Sequence, residues 1–111
     1  HTEALQRIIR SNRNRLEIEM HELILDIMES VGTDTFSFDC NDIFLLLRYS
    51  QAKVEKHQVR RVLKECWKLN PAPNTLTYTT YQLDYTRDCH YSPMRKTGRF
   101  YTVTRAFLET L

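Results

Sequence analysis

Five residues, Asn70-Pro71-Ala72-Pro73-Asn74, divide this sequence into two stretches of different period. Two prolines in three positions remove backbone donors and fix φ, so neither a helix nor a central strand runs through them. Upstream, apolar residues recur at steps of three and four, the period of helices packed on one face. Downstream the step is two. Thr75 to Tyr85 is rich in β-branched and aromatic residues, and Gly98 to Thr104 alternates in the same way. A chain helical on one side of such a break and stranded on the other is α+β, and at 111 residues it forms one domain, residues 1–111.

The upstream half opens on a long helical pattern. Leu16, Met20, Leu23, Ile27 and Val31 form a stripe that Ile24 and Met28 widen, and Gly32 closes it as a C-cap. Either one helix of more than seven turns runs through here, or it breaks at Ser11-Asn12-Arg13-Asn14, a polar run of weak helix formers; the break or a frayed joint is the favoured expectation. Residues 1–15 then read as a helical extension to a core and hairpin spanning 16–111. The extension's own stripe, Leu5, Ile8 and Ile9, has little in a small domain to cover it, which points to a homodimer through the N-terminal helix. Thr35-Phe36-Ser37-Phe38 alternates as a short strand. Asp39 or Asn41 can cap the next helix, which runs to Tyr49 on a block of Ile43, Phe44, Leu46 and Leu47.

After a turn at residues 50–54 comes Lys53 to Lys68, KVEKHQVRRVLKECWK, which reads as an amphipathic helix. Val59, Val62, Leu63 and Cys66 gather on one side. At about 100° per residue, His57, Arg61, Lys64 and Lys68 fall opposite, with Lys53, Lys56 and Arg60 on the borders. Trp67 belongs with the core. The formal net charge of the whole chain is only +2, but this segment holds six cations against two glutamates, while residues 1–52 are net acidic. The positive field is therefore concentrated on one helix and, to a lesser degree, on the residues C-terminal to it.

Beyond the prolines, Thr75 to Tyr85 and Gly98 to Thr104 are expected to pair as antiparallel strands. Between them Arg87 to Thr97 reads as a loop of about ten residues, too long for a tight turn and containing Ser92-Pro93. The loop and its base carry Arg87, Arg95, Lys96 and Arg99. The tyrosines of this half are expected to pack against neighbours rather than to stack on bases. Arg105 to Leu111 resumes a helical pattern.

Other chemistries find little footing. Cys40, Cys66 and Cys89 are odd in number and match no zinc or redox spacing, and Cys89-His90 with His57 or His21 gives no pair at ligand spacing, so no metal or cofactor is expected. An intracellular setting, in cytoplasm, nucleoid or nucleus, is expected for such an odd set of thiols. Ile43 to Leu47 is too short to span a bilayer, and no charged-then-apolar leader opens the chain, so no membrane is expected. With two glycines there is no phosphate-cradling loop, and no nucleophile elbow is present. Glu17, Glu19 and Glu22 beside His21 read as the polar face of a helix. The chain is not expected to be an enzyme, nor to bind a small molecule.

Helix, short strand, helix, turn, basic helix, two-stranded hairpin and short helix is an order that resembles the winged helix-turn-helix superfamily. The residues that carry the resemblance are DIFLLLRYSQAKVEKHQVRRVLKEC, similar to a scaffold helix, turn and recognition helix with Val54 at the apolar turn position. GRFYTVTRAFLETL is similar to the close of the wing and the helix after it in MarR-like and PadR-like regulators. The turn lacks the glycine often found there, and the hairpin is longer and richer in tyrosine than a minimal wing. The resemblance implies a three-helix core with a short strand and a two-stranded wing, and sequence-specific binding of double-stranded DNA by a small transcriptional regulator. On that reading Lys53, Lys56, His57, Gln58, Arg60 and Arg61 approach the major groove, Arg61 toward the bases and Arg60 toward a phosphate. Lys64 and Lys68 then meet phosphates, and Arg95, Lys96 and Arg99 the flanking backbone or minor groove. The rival expectation is the same fold serving as a protein-interaction module in a replication, transcription or membrane-remodelling complex, its basic face meeting an acidic partner.

Overall fold

A computed structural model describes residues 2–72 and 76–111; the side chains of residues 2 and 5–14 lie outside the description, and with them the stripe of Leu5, Ile8 and Ile9. The chain is a small α+β fold, with four helices and two two-stranded antiparallel sheets among the described residues. Helix α1 (Thr2–Val31) is continuous. The break expected at residues 11–14 is absent, because Ser and Asn lower helix propensity by only tenths of a kcal/mol each and do not remove a backbone bond as proline does. At about 1.5 Å per residue the helix is ~45 Å long. Its second half supplies Met20, Ile24, Ile27 and Met28 to the core, all fully buried. Gly32 ends it with φ +79, and Gly32 and Thr33 both donate to the Met28 carbonyl.

Strand β1 (Thr35–Phe38) turns Phe36 and Phe38 inward, and Asp39 then caps α2 (Cys40–Tyr49). The cap is reciprocal: Asp42 N donates to Asp39 Oδ1 at 2.7 Å, and Asp39 N to Asp42 Oδ2 at 3.0 Å. Helix α2 ends at a turn that lacks a glycine. Gln51 takes the left-handed conformation instead, φ +65, and its N–H donates to Arg48 O while Ala52 N reaches Leu47 O at 3.0 Å. A non-glycine residue there costs about 1 kcal/mol. Gln51→Gly is therefore expected to raise stability by roughly that amount, read as a higher urea midpoint at unchanged slope; an unchanged or lower midpoint would contradict the strain argument.

Val54, 5% exposed, plugs the turn before α3 (Lys56–Arg61). The helix proper thus begins at Lys56 rather than at Lys53, which lies in the connection. It widens into one π-helical turn over Val62–Cys66, closed by Trp67 N donating to Val62 O at 2.8 Å. The wider turn keeps Val62 and Leu63 both inward and brings Trp67 to the core at 5% exposure, edge-on to Phe107.

The expected pairing of the second half differs from the observed one. Strand β2 (Leu76–Asp84) pairs with β3 (His90–Gly98), from Leu76 opposite Gly98 to Asp84 opposite His90. Beyond Gly98, residues 99–104 take no part in this hairpin. Instead β4 (Tyr101–Thr104) pairs with β1, Phe38 opposite Tyr101 and Thr35 opposite Thr104. Residues 90–97, expected as loop, are strand, and Pro93 sits within it opposite Tyr81. A two-stranded ribbon has an open edge on each strand, where a missing N–H breaks no ladder bond. The connection spans residues 85–89 and ends in a tight turn, where Asp88 and Cys89 both have positive φ and His90 N donates to Arg87 O. Thr104 caps α4 (Arg105–Glu109), whose Leu108 carbonyl accepts from His21 Nε2 at 2.9 Å.

The hairpin lies against the domain. Tyr81 packs near Phe36, Tyr91 OH donates to Asp26 of α1 at 3.4 Å, and Tyr85 meets Tyr49 of α2 with ring centroids 4.7 Å apart. Among the described residues no helix is long and apolar enough to cross a membrane.

Candidate nucleic-acid interface

The inward positions of α3 and its wide turn are taken by Val59, Val62 and Leu63, so the residues between them face solvent. Lys56, His57, Gln58, Arg60, Arg61 and Lys64 are all exposed. Lys53 before the helix and Lys68 after it, at φ +54, are exposed as well. Helical spacing sorts the cations into two rows: Lys56, Arg60 and Lys64 at successive steps of four, and His57 with Arg61 beside them.

The first row faces the corner between β1 and α2. There Cys40 Sγ lies 3.8 Å from the Lys56 carbonyl. Burial pushes the Cys40 thiol up, and the charges of Arg60, Lys56 and Lys64 work against that rise. Arg99, between β3 and β4, is exposed. Burial raises the Tyr101 phenol above its usual value, the Cys40 thiol adds to the rise, and Arg60 and Arg99 are the two cations that oppose it. Arg99 at the base of the hairpin and Arg60 on the basic helix thus both lie near the Tyr101 phenol, and both are exposed.

The second row borders α1. Gln58 and Arg61 stand over a cleft of about 650 Å³ between α1 and α3, facing Arg15 and Glu19, with Lys53 at its end. Arg61 Nε is 3.9 Å from Glu65 Oε2, with the two side chains 54% and 65% exposed. Such a pair contributes little and releases either partner readily. Lys53, Lys56, His57, Arg60, Lys64, Lys68, Arg95 and Arg99 form no ion pair among the described residues.

Arg95 and Lys96 are not neighbours on a loop tip. They are successive strand residues and so point to opposite faces of the ribbon. Arg95, opposite Thr79, is exposed. Lys96 turns inward to α2, where its Nζ donates to Asp42 in a short ion pair and lies 3.4 Å from Asp39 Oδ2. It is tied to carboxylates of its own chain and is not part of the candidate interface. Tyr78, directly across from Lys96, stacks on Phe100 at 4.4 Å, and its buried hydroxyl sits beside the same two carboxylates without reaching hydrogen-bond geometry. Burial, then the charges of Asp39 and Asp42, hold that phenol protonated well above the usual range.

One cation escapes a reading of the sequence, and another changes place. Arg15 shares the cleft with Arg61, yet nothing in the sequence pairs α1 with α3 at that point. Arg87 becomes the exposed first residue of the tight turn once the hairpin register is known. Exposed guanidinium and ammonium groups can donate charge-assisted hydrogen bonds to oxyanions. Among the described residues no three His, Cys, Asp or Glu side chains are grouped to hold a metal. No protein-family model, no curated protein and no solved structure matches this chain.

Proposed function

We propose that this protein binds double-stranded DNA sequence-specifically as a winged helix-turn-helix, in the manner of a small intracellular transcriptional regulator. In this reading α2, the Gln51 turn and α3 are the helix-turn-helix, and β2 with β3 forms the wing. The observation that carries it is the exposed cationic face of α3, with Arg61–Glu65 its one ion pair among the described residues. Arg61, near the middle of that face, suits a guanine edge; Gln58 sits on the flank with its Oε1 accepting from Glu55 N at 2.8 Å, and Lys56, Arg60, Lys64 and Arg99 suit phosphates. A homodimer through the N-terminal part of α1 fits the reading, because two copies of α3 about 34 Å apart would enter successive major grooves.

Selection from a random duplex pool, with titration of the enriched sequence, tests this directly. With about six phosphate contacts, log affinity falls against log salt with a slope near −5, a loss of roughly a thousandfold between 50 and 200 mM salt. Absence of enrichment, or a slope shallower than about −2, removes the DNA reading.

A further inference from the structure

The cleft between α1 and α3 has an apolar floor for which a duplex has no use. Leu16, Ala52 and Cys66 are half-buried along it, above the buried Val54 and Val62. Among the described residues its rim is cationic: Arg15, Lys53 and Arg61 stand there with Glu19, and Glu65 Oε2 lies 3.9 Å from Arg61 Nε. An occupant must therefore bring an apolar ridge flanked by carboxylates. A second copy of this chain fits poorly. Its residues 1–14 offer Leu5, Ile8 and Ile9, but with Arg7, Arg10 and Arg13 against a single Glu3 they would set cations against cations. Its acidic stretch, residues 17–29, keeps Met20, Ile24, Ile27 and Met28 fully buried in its own core.

We propose that the α1–α3 cleft is a docking site for an acidic amphipathic helix of a partner protein. Its apolar ridge seats on Leu16, Ala52 and Cys66, and its carboxylates meet Arg15, Lys53 and Arg61, the helix-in-groove mode with charge fixing the partner. Lys53, Gln58 and Arg61 belong to both surfaces, so docking and duplex binding exclude one another. That exclusion rests on the DNA reading; the docking does not.

The probe is a fluorescein-labelled, side-chain-stapled helical peptide of about 15 residues, Leu on one stripe and Glu elsewhere. It is compared with a version carrying Ser for Leu and one carrying Lys for Glu. Saturable anisotropy is expected for the first peptide alone. Affinity should fall at least tenfold, about 1.4 kcal/mol, in Ala52→Glu and again in the surface variant Arg15→Glu. The site is overturned if the Glu/Leu peptide fails to bind, if the Ser version binds equally well, or if neither variant alters affinity. Peptide binding by a protein that selects no duplex leaves the cleft standing and removes the DNA reading. A peptide that saturates the cleft without displacing a bound duplex overturns the exclusion.

Discussion

Changing Arg61 and Lys64 together to Ala is expected, on the proposed DNA reading, to lower affinity for the selected duplex by about a hundredfold at 0.15 M salt. An arginine in bidentate contact with guanine contributes about 1–3 kcal/mol of discrimination, and a lysine on a phosphate adds one unit of salt slope. Roughly 3 kcal/mol in total corresponds to that hundredfold loss. Both side chains are exposed, and the Arg61–Glu65 pair spans 3.9 Å in open solvent, so the melting temperature should hardly move. The single variants separate the roles. Arg61→Ala relaxes base preference at one position of the site, whereas Lys64→Ala weakens all duplexes alike and reduces the salt slope by about 1. Unchanged duplex affinity in the double variant would sink the site assignment even if the wild-type protein binds DNA.

The α3 face was legible because its signal is local. Val59, Val62 and Leu63 fix the buried side by spacing, and the cations then have nowhere to go but out. The second half was legible only as strand. Alternation reports that residues 76–84 and 98–104 are extended, but it carries no register, and Ser92-Pro93 signals a loop wherever the strand is assumed to be central. In this fold Pro93 lies on an open-edged ribbon, and Asp88-Cys89 makes a tight turn that usually calls for Asn-Gly. One misplaced turn moved Lys96 from the base of the hairpin to its tip, and with it the partner that the residue meets. Arg15 in the α1–α3 cleft shows the complementary limit, since helix periodicity fixes which face is buried but not which helix covers it.

Lys96→Met is expected to cost about 2 kcal/mol of stability while leaving duplex affinity of the folded protein unaltered. Removing one member of a buried ion pair costs about 3–5 kcal/mol; the lower figure applies because the Lys96 side chain is 28% exposed, which lets water reach the site. The loss arises at Asp42, whose side chain is 7% exposed and whose carboxylate also caps Asp39 N. Without the ammonium, two carboxylates share the start of α2 with no cation between them. Lys96→Met with Asp42→Asn should recover most of the loss, since the amide oxygen keeps the cap and the one remaining carboxylate, Asp39, is 32% exposed and still accepts from the residue 42 N–H. Burial works against the Lys96 ammonium, but Asp42 and then Asp39 outweigh it and hold its pKa above the ordinary 10.5. A raised lysine stabilises the fold fully below pH 10.5 and ceases to do so as pH climbs through the folded value. Urea midpoints of wild type and Lys96→Met should therefore differ at pH 7 and converge in strong alkali. Were Lys96 a DNA contact, the variant would instead lose affinity at full stability, so midpoint and duplex titration on one preparation decide between the two roles.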